Sequence, residues 1–147
     1  GAGNDRYHGG SEADWMRGDT GSDLLSGGLG NDYLRGSGGA DILLGGGGAD
    51  CFHFARISDS LTDQPDTIED FAGNEGDRID LRDIDADTAA AGDQAFAWLG
   101  PRHFSGRAAQ LRLNDDRIEA DVDGDGKADL VIVLNGLSVV TSADLLL

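Results

Sequence analysis

The sequence predicts an all-β fold, a parallel β-roll of nonapeptide repeats capped by a β-rich C-terminal region. An aspartate recurs every nine residues, and an apolar or aromatic residue follows two positions after each one. The composition also changes near Phe54, since 16 of the 24 glycines precede it and 20 of the 28 acidic residues follow it. We therefore predict two regions, a roll over residues 1–54 and a cap over residues 55–147.

Each repeat places one apolar side chain between glycine-rich turns. The pattern is G-G-x-G-x-D-x-U-x, with U apolar, and residues 27–35 and 45–53 match it fully. One inward side chain predicts a strand of about three residues, which is stable only when stacked in a solenoid. Two repeats per coil would place the apolar residues on two sheets, Tyr7, Leu25 and Leu43 on one, and Met16, Leu34 and Phe52 on the other.

The recurring aspartates then form two rows. Asp5, Asp23 and Asp41 line one edge, and Asp14, Asp32 and Asp50 line the opposite edge. Carboxylates stacked at a strand spacing of about 4.8 Å repel each other, so a cation is expected between them. Ca²⁺ binds oxygen at about 2.3 to 2.6 Å and can contact two successive turns, whereas Mg²⁺, at about 2.0 to 2.1 Å, would draw the coils too close. We therefore predict Ca²⁺ as the ligand.

Glycines at the first, second and fourth repeat positions are expected to adopt positive φ and to direct bare carbonyls at the ion. The candidate backbone ligands are Gly9, Gly10, Gly18, Gly27, Gly28, Gly30, Gly36, Gly45, Gly46 and Gly48. Asp19 and Ser37 replace glycines of the second position. Glu12 replaces a fourth-position glycine, which predicts either a strained turn or an additional carboxylate ligand.

These repeats resemble the calcium-binding nonapeptides of RTX proteins, the repeats-in-toxin family, over residues 1–54. The resemblance implies a parallel β-roll with calcium between successive turns on each edge, and about four or more ions. The implied pairs are Asp5 with Asp23, Asp23 with Asp41, Asp14 with Asp32, and Asp32 with Asp50. A glycine-rich linker without fixed structure is the alternative, but linkers do not keep an apolar position in register.

The second half reads as short strands that cap the roll. Ile68, Phe71, Ile79 and Leu81 alternate within residues 66–71 and 77–81 and predict an apolar face over the last coil. Residues 83–96 are rich in alanine and could hold one short helical turn. Further strands are predicted at residues 96–99, 110–113, 118–122, 130–134 and 139–141.

Several short segments in this half resemble, in their order, the C-terminal region of serralysin-type secreted metalloproteases. They are GADCFHF at 48–54, DTIEDF at 66–71, DRIDL at 77–81, GDQAF at 92–96, DVDGDGKADL at 121–130 and the terminal SADLLL. The resemblance implies that Asp66 and Asp70 help to close the last calcium sites. The end of the chain, Asp144 followed by three leucines, resembles a type I secretion signal and could equally be an edge strand.

One further motif suggests a metal. Asp121, Asp123, Asp125 and Gly126 match the start of an EF-hand loop, but Ile132 occupies the twelfth position where glutamate is needed. The flanking β-branched residues favour two strands joined by a tight Asp-Gly turn, without metal.

Composition excludes several classes of function. The formal charge of −17 argues against a nucleic-acid partner, and no apolar run reaches the roughly 20 residues that span a bilayer. Cys51 is the only cysteine, so an intramolecular disulfide is excluded. Neither an H-E-x-x-H zinc motif nor a G-x-S-x-G elbow occurs. His8 and His53 are expected to face solvent, and His103 to lie in a loop.

We therefore expect a non-catalytic, calcium-binding module of a bacterial protein that is secreted by type I machinery. Its first residue, Gly1, lies inside a repeat, so an upstream catalytic domain such as a metalloprotease, lipase or polysaccharide-modifying enzyme is expected. The alternative is a module that binds an anionic polysaccharide, attached to an alginate-type epimerase or lyase. Trp15 and Tyr33 could stack on a sugar beside Arg17 and Arg35, or be isolated surface aromatics.

Overall fold

The computed structural model describes residues 1–136 and 139–147 and contains thirteen strands within them. These are β1 (Arg6–Gly10), β2 (Trp15–Thr20), β3 (Leu24–Leu29), β4 (Tyr33–Gly38), β5 (Ile42–Gly47), β6 (Cys51–His53), β7 (Asp66–Ile68), β8 (Arg78–Asp80), β9 (Ala97–Trp98), β10 (Gln110–Asn114), β11 (Arg117–Asp121), β12 (Leu130–Leu134) and β13 (Leu145–Leu146). Short 3₁₀ helices occupy Ile57–Asp59 and Ser142–Asp144.

The first six strands alternate between two parallel sheets, as the repeat predicts. Strands β1, β3 and β5 pair in one sheet, and β2, β4 and β6 pair in the other. Leu25 lies opposite Leu43 in the first sheet, and Leu34 lies opposite Phe52 in the second. Each coil therefore contains two nonapeptides, and the all-β parallel roll is confirmed.

Both sheets continue beyond the repeats into the second half of the chain. Strand β7 pairs with β5, and β8 pairs with β6. Strands β12, β11, β10 and β9 then extend the first sheet to eight strands, and β13 completes the five-stranded second sheet. Because the sheets cross Phe54 without interruption, the division into two regions at that residue stays a prediction.

The core of the roll is a stack of single apolar residues, one per strand, that continues into the first strands of the cap. Leu25, Leu34, Leu43, Phe52, Ile68 and Ile79 are fully buried. Tyr7 remains 39% exposed because the first coil has a neighbouring coil on one side only. Phe71 and Leu81 are buried too, which confirms the predicted apolar face over the last coil.

The strands of the roll are longer than the three residues predicted. Strands β2 to β5 each contain six residues, because the glycines that follow the apolar position also pair with the next coil. Gly28, for example, lies in register with Gly10 on one side and Gly46 on the other. Glycine thus belongs to the strand as well as to the turn.

In the cap, the strands predicted at residues 110–113, 118–122 and 130–134 are confirmed to within one residue. The helical turn expected within residues 83–96 is wrong. The carboxylates of Asp85 and Asp87 accept hydrogen bonds from nearby backbone N–H groups there, which stabilises turns instead. The strand expected at residues 139–141 is also wrong, because Thr141 caps the following 3₁₀ helix and the strand begins at Leu145.

Among the residues that the structure describes, no helix is both long and apolar enough to cross a lipid bilayer.

Candidate metal centre

Each interior aspartate of the repeat bonds to the aspartate one coil earlier. The backbone N–H of Asp14 donates to Oδ1 of Asp32 at 2.8 Å, and the backbone N–H of Asp32 donates to Oδ1 of Asp50 at 2.8 Å. The opposite edge repeats the arrangement, with Asp5 donating to Asp23 at 2.8 Å and Asp23 donating to Asp41 at 2.7 Å. The predicted two rows are therefore present as two hydrogen-bonded ladders.

The other carboxylate oxygen, Oδ2, is buried in most members of these rows and has no hydrogen-bond partner among the described residues. The residues with such an oxygen are Asp23, Asp32, Asp41, Asp50 and Asp66. Each is at most 2% exposed. A buried anionic oxygen without a donor costs several kcal/mol, on the order of the penalty for burying a charge. Oxygens of this kind are what Ca²⁺ requires as ligands.

Glycines of the first repeat position make room for these oxygens. A Cβ atom on Gly18 would overlap Oδ2 of Asp23, and one on Gly27 would overlap Oδ2 of Asp32. The same relation joins Gly9 to Asp14, Gly36 to Asp41 and Gly45 to Asp50. The expectation of positive φ at this position is wrong, because none of these five glycines adopts it. The position requires glycine for space beside the carboxylate.

Glycines of the second and fourth positions do adopt positive φ, as predicted. Gly10, Gly28 and Gly46 have φ of 133°, 110° and 97°, and Gly30 and Gly48 have φ of 122° and 128°. A Cβ atom on Gly46 would overlap the carbonyl oxygen of Gly28, so the carbonyls of successive coils lie stacked along the turn. These carbonyls present neutral oxygen atoms of the kind that a calcium site uses beside carboxylates.

Three repeats depart from glycine at these positions. Asp19 and Ser37 both adopt a φ of 79° at the second position, a conformation that costs a non-glycine residue about 1 kcal/mol or more. Glu12 does not adopt positive φ, so the strained turn considered for it is wrong. Its side chain is exposed, and an additional ligand role stays a prediction.

The cap extends both rows by one carboxylate. Oδ1 of Asp66 accepts from the backbone N–H of Asp41 at 2.8 Å, which continues the first row. Oδ1 of Asp77 accepts from the backbone N–H of Asp50 at 2.9 Å, which continues the second. Sequence reasoning proposed Asp66 but missed Asp77, which lies 27 residues beyond Asp50, outside the nine-residue period.

The two rows end differently. Oδ2 of Asp77 accepts from the backbone N–H of Ala72 at 2.8 Å, so both of its oxygens are engaged. Asp70, the other predicted cap ligand, uses its two oxygens to accept from Gly45 and Gly46 N–H at 2.9 Å. The free oxygen of Asp66 thus distinguishes it from Asp70 and Asp77, which bond to the backbone of the described chain.

Electrostatics oppose full ionisation of the rows without a cation. Burial raises the pKa of Asp41 and Asp50 to about 6, and the neighbouring carboxylates Asp23 and Asp32 add to the shift. Burial raises the pKa of Asp66 to about 9. Each of these groups therefore gains from a positive charge bound beside it.

Two families match the sequence of the chain. The RTX calcium-binding nonapeptide repeat matches residues 1–34 in four copies. The family described as Peptidase M10 serralysin C terminal matches residues 18–147, which is most of the chain. The chain belongs to the serralysin C-terminal family. It therefore combines RTX calcium-binding repeats with a serralysin C-terminal region, as the sequence predicted, and neither description names a catalytic domain.

Solved structures similar to this serralysin C-terminal chain include two modules of one enzyme. The AlgE6R3 subunit from the Azotobacter vinelandii mannuronan C5-epimerase has 26% identity and a TM-score of 0.67, and the match covers 98% of this chain and 78% of that one. The AlgE6R2 subunit has 25% identity and a TM-score of 0.59, with 95% and 90% covered. No protein with a curated description matches the chain in sequence.

His53 departs from its expected position in the serralysin C-terminal chain. It is 6% exposed, not solvent-facing, and its Nε2 lies 3.1 Å from Oδ2 of Asp83. Its ring lies 5.3 Å from the ring of Tyr33. The segment that follows β8 covers this side chain, which a repeat-based argument could not show. His8 and His103 are exposed, as expected.

The aspartate-rich loop between β11 and β12 joins antiparallel strands, but it is longer than the tight turn predicted. Carboxylate oxygens of Asp121, Asp123 and Asp129 lie within 4.8 Å of one another. Both oxygens of Asp121 already accept backbone N–H groups, those of Gly124 at 2.7 Å and Gly126 at 2.9 Å. A loop without metal stays the prediction.

Proposed function

We propose that this chain is a calcium-driven folding module of a secreted bacterial protein. The observation that carries the proposal is the set of five buried carboxylate oxygens that lack a hydrogen-bond donor within residues 1–136 and 139–147. They lie in two rows, and four of them, those of Asp23, Asp32, Asp41 and Asp50, lie beside glycines whose missing side chains leave space for them. The RTX repeat that matches the chain is calcium-binding by description.

The ions are proposed to lie between successive turns, held by carboxylates of adjacent coils and by the stacked glycine carbonyls. The complete sites would pair Asp5 with Asp23, Asp23 with Asp41, Asp14 with Asp32, and Asp32 with Asp50. The free oxygen of Asp66 supports a further site with Asp41, since the two residues are joined at 2.8 Å. Calcium supplies the positive charge that permits all the carboxylates to ionise at once.

The module would then fold according to the calcium concentration around it. Where calcium is scarce, like charges in each row repel and the chain stays extended, which suits export by type I machinery. At about millimolar extracellular calcium, sites with dissociation constants of about 10⁻⁴ to 10⁻³ M fill, and binding free energy becomes folding free energy. An upstream catalytic domain of a secreted enzyme would gain stability from the folded module.

Circular dichroism of the full chain with calcium and with excess chelator tests this proposal. We expect a β-sheet spectrum at millimolar calcium and the spectrum of an unfolded chain in chelator. Magnesium at the same concentration serves as the matched control, since its shorter bonds do not fit the coil spacing. A chain that is equally folded in chelator would refute the proposal.

A second candidate function is binding of an anionic polysaccharide. The similar modules belong to a mannuronan epimerase, and mannuronan is an acidic polymer. The outer face of the five-stranded sheet exposes Trp15 and Arg17, two positions apart on the same strand, to solvent. Titration with oligomannuronate at low salt tests this function, and absence of binding would remove it.

A further inference from the structure

We propose that the outer face of the five-stranded sheet carries an anion-binding groove that is assembled only when calcium stacks the coils. The occupant is an acidic polysaccharide, so the inference rests on the second candidate function and names its site and its regulation. We call this feature the arginine groove and define it by Trp15, Arg17, Tyr33, Arg35 and Arg56.

The arginine groove consists of two adjoining cavities. One, of about 310 Å³, is lined by Trp15, Arg17, Tyr33 and Arg35. The other, of about 420 Å³, shares Arg17 and Arg35 and is bounded further along by Ser37 and Arg56. Both volumes lie in the range of small-molecule sites. Arg17 and Arg35 line both cavities. A ligand that extends from one cavity into the other would therefore contact the same two arginines.

Charge sets the arginine groove apart from the rest of the surface. The chain carries 11 basic and 28 acidic residues, whereas three arginines and two aspartates, Asp19 and Asp59, line the larger cavity. Arg56 is exposed, and Arg17 pairs with Asp19 at the rim, where its side chain is 60% exposed. The charged residues that line this cavity therefore balance to a positive value in a protein of net charge −17, which favours the approach of an anion.

Unused donors in the arginine groove indicate a polar ligand. Arg35 contacts Asp59 at 3.2 Å through one terminal nitrogen, while its Nε is buried without a hydrogen-bond partner in the described chain. Ser37 is 8% exposed, and its hydroxyl is also buried without a hydrogen-bond partner in the described chain. Guanidinium and hydroxyl groups are suited to carboxylate and sugar oxygens. Asp59 holds Arg35 in place, and the free donor remains for a ligand.

The aromatic residues favour a polysaccharide over an acidic peptide. Trp15 is 81% exposed and meets Tyr33 edge to face, with ring centroids 5.3 Å apart. A pyranose ring has an apolar C–H face that can cover an aromatic ring, and a uronate adds one carboxylate per sugar. Each of the two strands contributes one aromatic residue and one arginine in the same register, since Trp15 pairs with Tyr33 and Arg17 pairs with Arg35. A polymer of identical units fits a surface of repeated units.

The arginine groove depends on calcium because it is formed by residues of two successive coils. Strand β2 supplies Trp15 and Arg17, and β4 supplies Tyr33 and Arg35. The two strands begin immediately after Asp14 and Asp32, which are joined across the coils at 2.8 Å. Neutralising Asp32 is therefore required before the two halves of the groove can lie side by side.

Isothermal titration of the full chain with hexamannuronate, at low salt and in calcium buffer, tests the inference. We expect binding in calcium and none in chelator, after subtraction of the heat of adding hexamannuronate to calcium buffer alone. Trp15→Ala and Arg17→Gln should each weaken binding about tenfold, which corresponds to about 1.4 kcal/mol. Arg6→Gln, on the opposite sheet, is the matched control and should bind like the parent chain.

The possible outcomes separate the inference from the functions on which it rests. A calcium-dependent dichroism spectrum without any hexamannuronate binding would remove the second function and leave the first intact. Binding that survives both Trp15→Ala and Arg17→Gln would place the polysaccharide elsewhere and overturn the arginine groove. Equal affinity for neutral mannohexaose or for hexaglutamate would overturn the ligand class. Equal binding in chelator would overturn the dependence on calcium.

Discussion

Asp32 accepts a hydrogen bond from the backbone N–H of Asp14 at 2.8 Å, and its second carboxylate oxygen is buried without a donor among the described residues. One side chain thus joins two coils and leaves a carboxylate oxygen without a donor at the junction. The position of an aspartate in its row consequently decides how much of the calcium response depends on it.

Replacing Asp32 should damage calcium-driven folding more than replacing Asp5. Asp32 lies between two coils and is 2% exposed, whereas Asp5 lies at the end of its row and is half-buried. Asp32→Asn should raise the calcium midpoint of folding about tenfold or more, about 1.4 kcal/mol for each ion that loses a charged ligand. Asp5→Asn is the control, and calcium titrations followed by circular dichroism compare them. Equal midpoints would contradict the two-row arrangement.

Asp66→Asn and Asp70→Asn should have different effects. Asp66 has the free oxygen, so Asp66→Asn should raise the calcium midpoint. Asp70 accepts two backbone N–H groups at 2.9 Å, so Asp70→Asn should lower stability to urea by about 1 kcal/mol at saturating calcium. Urea titrations at saturating calcium, together with calcium titrations, separate the two effects. If Asp70→Asn alone changed the calcium midpoint, their assigned roles would be reversed.

Gly27→Ala should be far more damaging than Gly38→Ala. A Cβ atom on Gly27 would overlap Oδ2 of Asp32, whereas the nearest atom to a Cβ on Gly38 is a backbone oxygen at 3.8 Å. Neither glycine adopts positive φ, so the pair isolates the effect of space beside the carboxylate. We expect Gly27→Ala to cost about 1 to 3 kcal/mol, the usual range for overpacking. Thermal unfolding in calcium measures it, and similar melting temperatures would show that the carboxylate does not need this space.

Acid should favour the compact form of the metal-free chain. Burial raises the pKa of Asp41 and Asp50 to about 6 and that of Asp66 to about 9, above the value of about 3.9 in an unfolded chain. A raised carboxyl pKa stabilises the folded state below the unfolded value, and this contribution is lost as pH rises through the folded value. In chelator, β-sheet content should therefore be highest near pH 4 and fall toward neutrality. Maximal β-sheet content at neutral pH would argue against this.

In the presence of calcium the pH dependence of folding reverses, because protons compete with the ion for the same carboxylates. The calcium midpoint should rise as the pH falls below about 6, the pKa of Asp41 and Asp50. Calcium titrations at several pH values between about 5 and 8 measure this shift. A midpoint independent of pH would mean that these carboxylates are not ligands.

The loop between β11 and β12 should not contribute to the ion count. Both oxygens of Asp121 accept backbone N–H groups within the loop. Asp123→Asn should therefore leave the number of bound ions unchanged, as measured by equilibrium dialysis, whereas Asp32→Asn should reduce it. A loss of one ion in Asp123→Asn would identify the loop as a separate calcium site.

Sequence periodicity was sufficient to predict the roll, because a repeat fixes both the partner and the register of each strand. Leu25 lies opposite Leu43, and Asp14 bonds to Asp32, as an eighteen-residue coil requires. The period could not explain why the first position needs glycine, since the space taken by Oδ2 of Asp32 beside Gly27 is visible only in three dimensions.

Outside the repeat, the cap residues were predicted from the resemblance to serralysin C-terminal regions, and fewer of their contacts could be predicted. Asp77 takes the place of the next aspartate in its row, but no period leads to it from Asp50. His53 is buried because Asp83 and the segment around it cover the sheet, a contact between residues 30 apart. Such contacts depend on the path of the cap, which short motifs do not encode.

The eighteen-residue separation between coils also sets the order in which the molecule can be built. Closing one coil on the next spans 18 residues, whereas Ser60 reaches Val131 across 71 residues and Asn135 reaches Glu69 across 66. Contacts between distant residues form slowly, because the entropy of closing a long loop is lost before any contact forms. We therefore expect neighbouring coils to close on one another quickly and the cap to form in the slow step of folding.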